Sequence, residues 1–113
     1  MDIIIQSLGF KASADLESMI HERLGKLTPN DNIVRANVTL YKASDSIAEN
    51  NYCEIRLEVP GNDHFVKKSA EMFEQSVVEV VNTLQKMLSK AKEKQISRKH
   101  DNSVAIEDGL LES

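Results

Sequence analysis

Four short runs of alternating or β-branched apolar residues and two stretches of helical periodicity divide this chain. Met1–Leu8 carries the β-branched run Ile3-Ile4-Ile5 ahead of Gly9, which predicts a buried first strand. Ser13 stands at an N-cap position, with Asp15 and Glu17 in the positive first turn that follows. Leu16, Ile20, Leu24 and Leu27 recur at helical spacing until Thr28-Pro29-Asn30-Asp31-Asn32 stops them, so the first helix is expected over Ala14–Leu27. Val34, Ala36, Val38 and Leu40 then alternate with Arg35, Asn37, Thr39 and Tyr41 in a strand with one buried face.

The polar stretch Ala43–Asn51 predicts a loop. Cys53, Ile55, Leu57 and Val59 alternate with Glu54, Arg56 and Glu58 in a third strand, and Pro60-Gly61-Asn62-Asp63 makes a turn. His64–Lys68 is expected as a short fourth strand, with Ser69 capping a second helix. Phe73, Val77, Val80, Val81, Leu84, Leu88 and Ala91 mark one apolar face of that helix. From about Asp101 the pattern is lost.

The order is therefore β-α-β-β-β-α. Two helices with single apolar faces need a common partner, and alternating strands offer one face of a sheet. The expectation is an α+β fold, a four-stranded mixed sheet with both helices packed on one face. The first helix would link a parallel strand pair, and the remaining strands would form a meander. Val38, Leu40, Ile55, Leu57, Val77 and Leu84 are the expected core.

A length of 113 residues is that of one domain, and 41% hydrophobic with 28% charged residues is too apolar for a disordered chain. The lone Cys53 forms no internal disulfide, which fits a reducing compartment. Met1–Gln6 has no basic segment before its apolar run, so no signal peptide is expected, and no stretch reaches the length of a membrane span. A cytoplasmic protein is expected.

Candidate chemistry is sparse. His21, His64 and His100 lie in separate elements without ligand-like spacing, so no metal and no cofactor is expected. Cys53 falls in phase with Ile55 and Leu57 and reads as a small core residue. Glu54 and Glu58 flank Arg56 on the outer strand face, where cross-strand ion pairs are expected. There is no glycine-rich phosphate loop and no nucleophile elbow. The chain is not expected to be an enzyme.

Charge changes the picture. The net charge is −4, yet residues 86–100 hold Lys86, Lys90, Lys92, Lys94, Arg98 and Lys99 against the single acid Glu93. A local basic stripe binds phosphate whatever the net charge. Lys86, Lys90 and Lys94 form an i, i+4, i+8 row beside the apolar face, with Lys92 and Lys99 on the other flank. Arg23 and Lys26 lie along one side of the first helix, and helices packed side by side would let these sets frame one basic groove. Cations also complement the negative end of a helix, but that needs one or two, not six. Scarce aromatics argue against stacking of exposed bases. The residues alone leave binding and a merely solvated helix end both open.

The segment Leu84-Gln85-Lys86-Met87-Leu88-Ser89-Lys90-Ala91-Lys92-Glu93-Lys94, with Arg23-Leu24-Gly25-Lys26-Leu27 and Glu58-Val59-Pro60-Gly61, resembles the ribosome hibernation-promoting factor family. That family is also called ribosome-associated inhibitor or sigma-factor modulation protein. The resemblance covers about residues 1–98 and, with the chain ending at Ser113, suggests a short form without the module that pairs ribosomes. It implies binding to ribosomal RNA in the decoding channel of the small subunit and inhibition of translation in resting or stressed cells. The RNA contacts it implies are Arg23, Lys26, Lys86, Lys90, Lys92 and Lys94. Residues 1–100 would form the ribosome-binding domain and 101–113 an acidic, disordered tail. The protein is expected to be monomeric off the ribosome, with no membrane or small-molecule partner. The alternative is a protein-binding regulator whose basic helix meets an acidic partner.

Overall fold

A computed structural model describes residues 1–43 and 49–104, with side chains as far as Lys92. Its elements are β1 (Asp2–Ser7), α1 (Ala14–Gly25), β2 (Arg35–Lys42), β3 (Asn51–Glu58), β4 (His64–Ala70) and α2 (Phe73–Val104). The sheet order is β1-β2-β3-β4, with β1 parallel to β2 and the rest an antiparallel meander. This is the expected architecture.

Alternation decides which face is covered. Ala36, Val38 and Leu40 of β2, Cys53, Ile55 and Leu57 of β3 and Val66 of β4 share one core with Leu16, Ile20 and Leu24 of α1. Val77, Val80, Val81, Leu84 and Leu88 of α2 complete it. All six expected core residues are buried. Both helices therefore lie on the same side of the sheet, α2 over β3 and β4 and α1 beside it. Each fully buried leucine or isoleucine contributes roughly 1.5–3 kcal/mol.

Local chemistry sets the element ends. The Ser13 hydroxyl accepts the Leu16 N–H at 3.1 Å and caps α1. The helix stops at Gly25, two residues short of the expected end. A tighter last turn follows, with the Leu27 N–H donating to Leu24 at 3.2 Å, and it keeps Leu27 in the core. Gly61 has φ +90°, as the third residue of a turn closed by the Asn62 N–H on the Val59 carbonyl at 3.1 Å. The Phe10 and Phe73 rings stack at 4.9 Å and tie the β1–α1 connection to the start of α2.

Four expectations fail for physical reasons. Ser69 does not cap α2. Because β3 begins at Asn51, the ladder continues through Tyr52↔Ser69 and Asn51↔Ala70, making Ser69 a strand residue. Asn51 Nδ2 then donates to the Glu71 carbonyl at 2.6 Å and seals the strand–helix junction. Val34 is 52% exposed, since the turn closed by the Ile33 N–H on Asn30 sends Ile33 into the core instead. The first strand is not buried as expected, because β1 is a sheet edge whose residues are at best half-buried, with Ile4 50% exposed on its open side. Ala91 is exposed, because α2 leaves the sheet after Leu88, its last buried residue.

The helix continues through Val104, past the position where the pattern fades in the sequence. Residues 105–113 of the tail, residues 44–48 of the loop, and the side chains of Lys94, Arg98, Lys99 and His100 lie outside what the structure describes.

Candidate nucleic-acid interface

The last turn of α1 presents Arg23 and Lys26 to solvent while Leu24 and Leu27 anchor it below. Opposite stands the flank of α2 formed by Val81, Asn82 and Gln85. Between them lies an open cleft of about 320 Å³, lined by Glu22, Arg23, Lys26, Leu27, Val81, Asn82 and Gln85. Its lining is mostly polar, with two cations and one acid beside the apolar Leu27 and Val81. Lys26 Nζ lies 3.7 Å from Glu22 one turn earlier, with both side chains largely exposed. Such a pair is worth little in water, so Lys26 stays available to a stronger anion.

Gln85 fixes the distance across the cleft. Its Nε2 donates to the Thr28 carbonyl at 2.7 Å, and its Oε1 accepts the Thr28 N–H at 3.0 Å. The same Nε2 lies 3.2 Å from Ser89 Oγ. The amide acts as a surrogate strand partner for a loop residue just past α1. Sequence reasoning missed this residue. The only signal is a long amide side chain at the border of the apolar face, level with a helix stop.

The lysines divide into two sets. At about 100° per residue, Lys92 returns to within about 20° of Gln85, on the flank that faces α1. Lys86 is turned about 100° away from Gln85 and Lys90 about 140°. All three are exposed. The structure thus brings Arg23 and Lys26 together at the cleft, puts Lys92 in line with Gln85 on its α2 wall, sets Lys86 at the edge of that wall about 40° around from Asn82, and turns Lys90 further away. The cleft has Asn82 and Gln85 where one basic groove was expected to have Lys86. Past Leu88 the helix lacks a core to bury its sides, so cations there project around it from a rigid rod.

The opposite face of the sheet is electrically quiet. Glu58 accepts from Asn37 Nδ2 at 2.6 Å and from Arg35 Nη1 at 3.0 and 3.2 Å. The Asn37 hydrogen bond does most to hold its carboxyl below the usual range; partial desolvation opposes this, and Arg35 assists. Glu54 accepts the Tyr41 hydroxyl at 2.6 Å. Arg56 sits 5.1 Å over the Phe65 ring and 4.0 Å from Asp63, so the cross-strand ion pair is Arg35–Glu58 and Arg56 pairs with neither flanking glutamate. Burial, helped by the Glu54 charge, pushes the Cys53 thiol up to about 12 and leaves it a poor nucleophile. Among the described residues no group of three or more His, Cys, Asp or Glu could hold a metal, and no helix is long and apolar enough to cross a membrane.

Comparison with known proteins agrees with this fold. Residues 3–96 match the model of the family described as sigma 54 modulation protein / S30EA ribosomal protein. A ribosomal subunit interface protein from Coxiella burnetii superposes with a TM-score of 0.75 at 18% identity, covering 82% of this chain and 99% of that one. The N-terminal domain of Protein Y from Thermus thermophilus gives a TM-score of 0.68 at 16% identity, covering 80% and 98%. These likenesses show a shared fold. A comparison with curated proteins finds no match.

Proposed function

Because this chain belongs to the sigma 54 modulation protein / S30EA ribosomal protein family, we propose that it associates with the ribosome and inhibits translation in resting or stressed cells. The small subunit is its partner, and ribosomal RNA in the decoding channel is the surface it meets. Lys86, Lys90, Lys92 and Lys94 on α2, with Arg23 and Lys26 on α1, make the contacts. The observation that carries this reading is the end of α2, which projects beyond the core with Lys86, Lys90 and Lys92 exposed. Structured RNA is recognised by shape and phosphate, which asks for fixed cations on a rigid support rather than for aromatic platforms. The names of the two structural relatives, an interface protein of the ribosomal subunits among them, point the same way. The site of action is the cytoplasm.

The test is cosedimentation with small subunits together with translation in an extract. Changing Lys86, Lys90 and Lys94 together to Glu removes both activities and leaves the fold intact, since the two described lysines contribute nothing to the core. A folded triple variant that still sediments with ribosomes and still blocks translation overturns the assignment. Binding that depends more on apolar side chains and less steeply on salt would favour a protein partner instead, consistent with the sigma-factor half of the family description.

A further inference from the structure

We propose that the free edge of β1 pairs antiparallel with β1 of a second copy of this chain, joining two four-stranded sheets into one of eight strands. The Asp2 N–H donates to Val34 at 3.1 Å and the Leu8 N–H to Leu40 at 2.9 Å. In a parallel ladder this places the even-numbered residues of β1 against β2. Ile3, Ile5 and Ser7 therefore turn their N–H and carbonyl groups to the outer edge, where no described strand pairs with them.

The two edges of the sheet are built differently. β4, at the far side, carries Lys67 and Lys68, both exposed, which is the usual guard against strand addition. β1 has no lysine, proline or bulge, and its one charge, Asp2, sits at its end. Its triple isoleucine is the signature of a strand covered on both faces, yet Ile4 is 50% exposed and Ile3 and Ile5 are only half-buried. A single copy leaves that pattern unsatisfied.

Self-pairing satisfies it. With the two-fold axis at Ile4, each Ile4 faces Ile4 of the second copy on the open side of the sheet. Ile3 then pairs with Ile5 of the second copy through a reciprocal pair of backbone hydrogen bonds, and their side chains meet on the helix side. Asp2 falls opposite Gln6, so no like charges meet and an amide is offered to the carboxylate. Moving the axis by one residue keeps every side chain on its own face but sets Ile4 against Gln6 or Asp2 of the second copy, so only the axis at Ile4 pairs the two exposed isoleucines. A six-residue strand pair is small, so association is weak and transient. This departs from the monomer expected from sequence, and it does not depend on ribosome binding.

The experiment is sedimentation velocity on the full chain from micromolar to millimolar concentration, with amide exchange measured at both ends of that range. The expected result is a reversible dimer in which the Ile3, Ile5 and Ser7 amides become protected as concentration rises. Ile4→Lys, which alters an outward side chain and puts like charges on the axis, weakens association by about tenfold or more, whereas Ile4→Val retains it. Circular dichroism establishes that both variants keep the monomer fold. A monomer throughout the range, protection at another surface, or a dimer indifferent to Ile4→Lys overturns the proposal.

Discussion

Gln85 and Thr28, fifty-seven positions apart, are joined by two hydrogen bonds that make the α2 side chain a stand-in for a strand. The relationship matters because Gln85 lines the cleft and Thr28 directly follows Leu27, which also lines it. One amide thereby holds the last turn of α1, with Arg23 and Lys26 on it, at a set distance from α2. Both bonds are exposed to water, so their loss is partly compensated. Gln85→Ala is expected to cost about 1 kcal/mol in urea unfolding. Gln85→Glu keeps the acceptor for the Thr28 N–H but sets a carboxylate against the Thr28 carbonyl, and is expected to cost at least as much. A Gln85→Ala variant as stable as the parent would show the bridge contributes nothing.

Leu57 tests the core. It has no exposed surface and lies between Ala36 and His64 in the ladder. Leu57→Ala removes its methyl groups and leaves a cavity, with an expected loss of about 2–5 kcal/mol. Phe65, on the open face and 44% exposed, should lose far less on the same change. Equal losses at the two positions would mean that the sheet faces are assigned the wrong way round.

Most of the fold was legible because its strands have opposite faces in different surroundings. Val38 and Leu40, or Ile55 and Leu57, alternate with polar partners, and that contrast names both the element and its inward side. Where the contrast vanishes, the sequence misleads. Ile3-Ile4-Ile5 reads as a buried strand although β1 is an edge, and Ala91 continues a periodicity that no longer has a sheet beneath it. Ser69 is a good cap by chemistry, but the register set by Asn51 claims it for β4. In the candidate site, the charges are visible in sequence and their grouping is not. Which flank of α2 faces α1 follows from how the two helices pack, so Lys92 in line with the cleft, and Gln85 within it, emerge only from the assembled structure.

Glu58 gives a pH dependence of known sign. Its folded carboxyl is held below its ordinary value by Asn37 first, then by Arg35. A depressed folded value contributes stability above the unfolded pKa, near 4.3, and that contribution disappears as pH falls through the folded value. The melting-temperature gap between the parent and Glu58→Gln should be largest near neutral pH and close below about pH 4. A gap that widens in acid contradicts the Asn37–Glu58–Arg35 arrangement.

Cys53 behaves in the opposite sense. Its thiol is pushed up to about 12, chiefly by burial, so its contribution is complete below the ordinary thiol value and fades as pH rises from there toward 12. Tyr41, raised to about 12 by desolvation and by its bond to Glu54, adds to the same alkaline loss. The folded protein is expected to resist thiol alkylation at neutral pH, and Cys53→Ala to lose less stability than the parent between about pH 9 and 11. Rapid alkylation under native conditions would place Cys53 at the surface.

The two cation sets invite separate tests. Lys86 and Lys90 stand on α2 beyond the lining of the cleft, whereas Arg23 and Lys26 rim it. An RNA that touches only the cleft would feel the second pair alone. An RNA channel that encloses the end of α2 would feel both. The proposed decoding-channel contact requires the second case. Reversing Lys86 and Lys90 to Glu, or Arg23 and Lys26 to Glu, should each weaken small-subunit binding. Each pair should also flatten the dependence of log affinity on log salt by roughly 0.7–0.9 for every phosphate no longer neutralised. Glu54→Gln, on the far face of the sheet, should change neither quantity. Stability should stay near that of the parent in both double variants, because all four side chains are exposed. If reversing Lys86 and Lys90 leaves affinity and salt slope unchanged while reversing Arg23 and Lys26 abolishes binding, the interface is the cleft and the α2 row is only a solvated helix face.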